Sequence, residues 1–285
     1  MSIEQAQPSV AELGDVLSAM CAWQRDGLPV QLHPGDLGWQ WRFGAEETAA
    51  VVRTWSRDGQ LLAVGMIDSP GLVRFAVAPD IGDDDELARR LVADLTADYT
   101  VAEVRFGDRL RQLLAEAGWV DDEPWTPLVR DLAEPVADSG LRIEIVRPEH
   151  VAERTAVQRA AFERSTFTDE RWHAMASGPA FADARDLLAY DEDGVAVAAA
   201  TVWSAGPGRP GLLEPVGVHR DHQGRGYGTA ITLAAAAALR EMGASSATVC
   251  TTSANVGAVA TYRSGGFRQL PDVADLRRPS GGTTS

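Results

Sequence analysis

The spacing of apolar residues runs through one order of elements twice along the chain. Leu13, Val16, Leu17, Met20 and Cys21 recur at helical spacing from Val10 to Arg25, and Asp26-Gly27-Leu28-Pro29 ends that helix. His33 to Trp41 reads as a turn followed by aromatics. Strands are expected at Ala49–Ser56 and Gln60–Ile67, around the hairpin signal Arg57-Asp58-Gly59, and again at Gly71–Ala78. Asp83–Ala97 predicts an acid-capped helix with Leu87, Leu91, Val92 and Leu95 on one face. Val101–Phe106 reads as strand and Arg109–Ala117 as helix, and Gly118-Trp119-Val120 closes the unit.

A polar, proline-containing run, Ala133 to Gly140, follows and marks a boundary between residues 138 and 139. The order then restarts. Leu141–Val146 predicts a strand, Glu149–Phe162 and Asp169–Ala176 helices, and Asp186–Tyr190 and Val195–Trp203 strands. An apolar run from Leu212 enters a turn with three alternate glycines, followed by a helix over Thr229–Met242. Strand Ala247–Thr251 and helix Val256–Arg263 complete the second unit. The expectation is an α/β chain (α+β by some schemes) of two units, 1–138 and 139–278, with a disordered tail at 279–285.

The glycine turn is the most informative stretch. Gly224, Gly226 and Gly228 let the backbone turn its amides inward at a helix start, where unpaired N–H groups and the dipole favour an anion. A P-loop requires Lys, and all the cationic side chains of this chain are Arg. The dinucleotide fingerprint fails at Thr229, where a third glycine is needed.

Composition narrows the choice further. Net charge is −15, against a nucleic-acid binder with its basic face. Residues 1–140 hold 25 acids against 11 arginines, and residues 141–285 hold 16 against 15. The second half therefore better tolerates a polyanionic ligand, while the acidic surround favours a cationic substrate such as an amine. No apolar run reaches membrane-spanning length, and the N-terminus lacks a signal-peptide pattern, so a cytoplasmic protein without membrane contact is expected. Cys21 and Cys250 read as reduced core residues. The five histidines have no metal-ligand spacing, so no metal is expected; His219 and His222 read as solvated loop residues. The absence of Lys excludes a lysine Schiff base and suggests a GC-rich genome.

Gln223-Gly224-Arg225-Gly226-Tyr227-Gly228 fits Q/R-x-x-G-x-G/A, and Asn255 to Phe267 fits N-x-x-A-x-x-x-Y-x-x-x-G-F at every defined position. The chain thereby resembles the GNAT superfamily of acyl-CoA N-acyltransferases. The resemblance covers residues 141–270 well and the first half as architecture. It implies two tandem GNAT-like domains, each a mixed, mostly antiparallel sheet flanked by helices. The arrangement is similar to that of mycothiol synthase-like actinobacterial acyltransferases, in which one copy is catalytic.

The resemblance implies acetyl-CoA as co-substrate, held by Val216, Gly217, Val218, Gln223, Gly224, Arg225, Gly226, Tyr227, Gly228, Thr229, Asn255 and Ala258. It implies Tyr262 as general acid toward the departing thiolate. Glu214, nine positions ahead of Gln223 on the preceding strand, stands where the superfamily often keeps its general base. Its apolar neighbours should raise its pKa. Anchoring a substrate ammonium, or pairing with an Arg, is the other role open to it. Pro215 and Gly217 mark a strand that does not pair regularly. Arg220 is a further diphosphate candidate, and Phe162, Phe167, Trp172 and Trp203 are candidates for the acceptor pocket.

The first half departs from the pattern. Val77-Ala78-Pro79-Asp80 lines up with Val218-His219-Arg220-Asp221, which sets Gly82-Asp83-Asp84-Asp85 opposite Gln223-Gly224-Arg225-Gly226 and Leu114 opposite Tyr262. Carboxylates there would repel a diphosphate. The expectation is acetyl transfer to a primary amine of a small molecule, by a monomer or homodimer. An aminoglycoside-like acceptor and a non-catalytic acyl-CoA-binding regulator are the alternatives.

Overall fold

The computed structural model describes residues 2–279; apart from Pro279, the tail predicted to be disordered lies outside the described residues. The first half comprises β1 (Glu4–Ala6), α1 (Leu13–Trp23), α2 (Pro34–Gln40), α3 (Ala45–Val51), β2 (Val52–Arg57), β3 (Gln60–Ser69), β4 (Leu72–Val77), α4 (Asp85–Asp98), β5 (Val101–Glu103), α5 (Asp108–Glu116) and β6 (Val120–Asp131). The second comprises β7 (Arg142–Ile145), α6 (Val151–Ala161), α7 (Asp169–Ala176), β8 (Ala184–Tyr190), β9 (Ala196–Trp203), β10 (Gly211–Val218), α8 (Tyr227–Glu241), β11 (Ser246–Thr252), α9 (Val256–Ser264), β12 (Arg268–Gln269) and β13 (Val273–Arg277). Two units of mixed, mostly antiparallel sheet, flanked by helices, follow one another as expected. No helix among the described residues is long and apolar enough to cross a membrane.

The two sheets are joined by exchanged strands. The order is β1-β2-β3-β4-β5-β13-β6-β11-β10-β9-β8-β7, with β12 also paired to β6. Strand β6, before the 133–140 linker, ladders with β11 from Trp125 to Asp131, whereas β13, near the C-terminus, pairs with β5 and β6. Neither β6 nor β13 is expected from the sequence. Pro124 and Pro127 lie inside β6, and a proline lacks the N–H that a central ladder uses.

Two other sequence readings are corrected. Residues 45–51 are helical, so strand begins only at Val52. His33–Trp41 is not a turn but holds helix α2: the His33 N–H donates to Asp36 at 2.6 Å, and His33 Nδ1 accepts from the Gly35 N–H. Burial lowers the His33 pKa to about 4. With Nδ1 accepting, the neutral ring presents Nε2–H to the Pro210 carbonyl in the second half, at 3.2 Å. Glycines 35 and 38 are there for packing: a Cβ on either would come within 2.4 Å of the Trp203 side chain. Helix α2 thus lies directly on β9 of the other half.

Apolar clusters fill both faces of each sheet. Trp55, Phe75, Leu91, Leu95 and Leu110 form the core under α4 and α5. Ile231, Ala235, Leu239 and Val249 form the counterpart under α8. Beneath α6 and α7 lies a fully buried polar network. Arg154 Nε donates to Asp186 at 2.8 Å, its Nη1 to Gln158 and its Nη2 to Thr201. Trp172 Nε1 closes the network on Asp186 at 2.8 Å. With its bonds made, this network fixes α6 over β8 and β9.

Candidate active site

Strand β10 pairs in parallel with β11 only at Gly211 and Leu212, and then the two diverge. On its other side β10 slips register between Leu213 and Val216 before pairing again with β9. The edge of residues 213–218 that faces β11 is therefore open, as expected from Pro215 and Gly217. Gly217 has a further reason: a Cβ there would meet Ala161 Cβ at 2.7 Å and Phe162 at 2.9 Å. The absence of a side chain lets the end of α6 close over the strand.

The open edge lines a cavity of about 570 Å³ with Val216, Gly217, Val218, Gln223, Gly224, Gly226, Tyr227, Gly228, Thr229, Asn255, Ala258 and Tyr262. Of the residues assigned to the cofactor from sequence, Arg225 is not among the lining. Its guanidinium is exposed and turned back toward the Asp221 carbonyl at 3.5 Å. Gly224 and Gly226 adopt φ +76° and +86°, where side chains are strained, so the loop needs glycine at both places. Asn255 accepts from the Ala258 N–H and caps α9. Arg220 donates to the carbonyls of Arg159 and Ala160 at the end of α6, and so braces that helix. His219 and His222 are half-buried and stack edge to face at 5.3 Å.

A second cavity of about 670 Å³ shares Ala161 and Phe162 with the first and is lined by Glu214, Pro215 and Phe167, and by Trp39 and Arg42 from the first half. Glu214 and Pro215 line this second cavity, and Val216, next along the strand, lines the first. The Glu214 pKa is raised from an ordinary 4.5 to about 8, chiefly by burial, then by the carboxylate of Asp36, with Arg74 opposing. The sequence reading expected the apolar neighbours alone to cause this rise; Asp36 was not visible to it. The Tyr262 phenol is buried against Phe267, and burial and the nearby Glu214 push its pKa up. It therefore stays protonated at neutral pH, the state able to donate.

Behind Glu214 a chain of charges crosses from the first half. Arg74 bridges Asp36 at 2.7 Å and Glu103 at 3.1 Å, and Arg105 bridges Glu103 and Asp275. Arg105 also donates to Cys250 Sγ at 3.3 Å, so Cys250 borders this charged cluster and is only partly buried; burial pushes its thiol pKa up.

Two aromatic candidates do not face the cavity. Trp172 and Trp203 are core residues whose indole N–H groups are taken by Asp186 and by the Glu214 carbonyl. Phe167 does line it, with its ring 5.0 Å from that of Trp39. Trp39, Asp36 and Arg42 escaped sequence reading because Gly35 and Gly38 resemble a loop. The signal that could have found them is Pro34 at the first helical position with Asp36 two residues on.

The matching place in the first half keeps a cavity of about 500 Å³ lined by Val77, Gly82, Asp83 and Asp84, but its strand groups and helix start are bonded within the chain. Gln31 holds the Val77 N–H through Oε1 and the Val77 carbonyl through Nε2, and the Leu32 N–H donates to the Phe75 carbonyl. Asp84 caps α4 through the Leu87 N–H and pairs with Arg57. The helix start that would face an anion is thus occupied by the protein's own carboxylate.

Residues 146–267 match the acetyltransferase (GNAT) family. The matched span runs from the end of β7 to Phe267 and includes the open strand, the glycine loop and Tyr262. GNAT acetyltransferases use acetyl-CoA as acyl donor. The whole chain is similar in fold to a GCN5-related N-acetyltransferase from Sphaerobacter thermophilus, with 19% identity, TM-score 0.58, and coverage of 98% of this chain and 96% of that one. A tandem GNAT protein from the clavulanic acid biosynthesis pathway matches with 15% identity and TM-score 0.56, covering 98% and 100%. A GNAT-family acetyltransferase from Colwellia psychrerythraea matches with 14% identity and TM-score 0.57, with the same coverage. At these identities the likeness is one of fold. No curated protein matches the chain.

Proposed function

We propose that the protein is an N-acetyltransferase that moves the acetyl group of acetyl-CoA directly to a primary amine of a small molecule. The observation that carries this reading is a pair of cavities that share Ala161 and Phe162, one lined by the glycine loop and Tyr262, the other by Glu214 and residues from both halves. In this reading acetyl-CoA lies along the open edge of β10, with its diphosphate on the amides of 223–228 and the start of α8. Amides of residues 216–218 polarise the thioester carbonyl. Residues 139–278 form the working unit, and residues 1–138 a degenerate one that completes the acceptor cleft.

The chemistry needs a base for the ammonium and an acid for the thiolate. Glu214, as carboxylate, takes a proton from the incoming ammonium, either directly or through water. The free amine attacks the thioester carbon, the C–N bond forms and the C–S bond breaks. Tyr262 then protonates the CoA thiolate, and the second proton that the nitrogen sheds as the amide forms returns to the Tyr262 oxygen, directly or through water. A base near pKa 8 suits an amine that is largely protonated at neutral pH.

The test is release of CoA thiol over a panel of amines, with acetyl-CoA affinity measured in parallel for the wild type, Glu214→Gln and Tyr262→Phe. Turnover lost by at least about a hundredfold in Glu214→Gln, with affinity retained, supports the reading. Tight binding with no turnover on any amine would instead make the protein an acyl-CoA binder.

A further inference from the structure

The acceptor cavity holds a guanidinium that no carboxylate pairs with among the described residues. Arg42, just after α2, lines this cavity together with Glu214. Its guanidinium carbon lies 4.4 Å from the Trp39 ring centroid and 4.3 Å from that of Phe43, so two rings hold it. Nη1 donates to the Trp39 carbonyl at 2.6 Å. Arg74 and Arg105, by contrast, are each engaged by two carboxylates. Arg42 forms no ion pair within 4.0 Å among the described residues. Burial lowers its pKa to about 10, with Asp68 and Glu214 opposing, so it stays charged at neutral pH.

A half-buried cation held in place by aromatic rings and left without a carboxylate suits an anionic ligand group. A guanidinium presents parallel N–H donors that match a carboxylate, and ring stacking reduces the side-chain entropy lost on binding. Arg171, whose guanidinium carbon is 4.8 Å from the Phe43 ring centroid, adds positive charge nearby. The negative net charge of the chain favours a cationic acceptor. The cleft itself is mixed, since Glu163 and Arg164 also line it.

We propose that the acceptor carries a carboxylate as well as its amine, and that Arg42 holds the carboxylate while Glu214 receives the amine. The substrate class is then that of free amino acids and similar zwitterions. This rests on the transferase reading above. The carboxylate takes no part in bond making, so the balance of acetyl and proton transfer is unchanged.

The experiment compares thiol release with free amino acids, their amides and their decarboxylated amines, in the wild type and in Arg42→Gln and Arg42→Lys. Expected is a wild-type preference for the carboxylate form of at least about tenfold in kcat/KM, expressed mainly in KM. Arg42→Gln should collapse that preference, and Arg42→Lys should recover only part of it. The wild-type ratio decides the matter even if a variant folds poorly. Equal use of the matched acceptors overturns the inference and leaves the transferase reading standing. Absence of thiol release with every acceptor, despite acetyl-CoA binding, overturns both.

Discussion

The indole N–H of Trp203 donates to the backbone carbonyl of Glu214 at 2.7 Å. One face of that indole lies against Gly35 and Gly38 of α2, so a strand of the second half and a helix of the first hold the candidate base between them. Trp203→Phe keeps much of the packing and leaves this carbonyl without its donor. It is expected to cost roughly 1–3 kcal/mol of stability, read by denaturant unfolding. It should also lower kcat more than it raises the KM for acetyl-CoA, because Glu214 moves and the glycine loop does not. An unchanged kcat would show that the bond does not position the base.

Glu214 also sets a pH signature in stability. Its pKa is about 8 in the fold against 4.5 ordinarily, so the folded protein keeps a proton that the unfolded chain releases. The contribution is fully present below about pH 4.5 and is lost as pH rises through about 8. Glu214→Gln removes this loss. The Tm of the variant should therefore gain on that of the wild type between about pH 4.5 and pH 8 and then level off, as thermal melts would show. Parallel curves would mean that the carboxyl is not held protonated.

Only one half should bind acetyl-CoA. Gln31 occupies the Val77 backbone groups of the first half, and Asp84 its helix start. Calorimetric titration should give one site per chain. Gly226→Val, forced to φ +86°, should weaken binding by at least about tenfold. A second site that survives this change would place a ligand in the first half.

The buried Arg154–Asp186 pair links stability to the site through α6, whose end packs on Gly217. Arg154→Ala leaves a carboxylate buried without its cation and should cost roughly 3–5 kcal/mol. Displacement of Ala161 and Phe162 should raise the KM for acetyl-CoA along with it. A variant as stable as the wild type would show that water reaches Asp186.

The parts of the site legible in the sequence are those carried by contiguous residues. Loop 223–228, Asn255 with Tyr262 seven residues on, and Glu214 on the irregular strand ahead of the loop can each be read from local spacing. What escaped depends on distant partners. Helix α2 looked like a turn because its glycines answer to Trp203, some 165 residues away in sequence. Strands β6 and β13 were hidden by prolines and acids, since their pairing comes from the exchange between halves and not from alternation. Trp172 and Trp203 fit a pocket by sequence, but their indole N–H groups are bonded inside the core.

Glu214 is proposed as the base of an acetyl transfer. The most direct test of that role is the pH dependence of kcat/KM for wild type and Glu214→Gln with the same amine. The wild type should rise through a group titrating near 8, in addition to the limb of the amine itself, and Glu214→Gln should lose that group while still binding acetyl-CoA. The same limb near 8 in both proteins, at comparable rates, would contradict the claim.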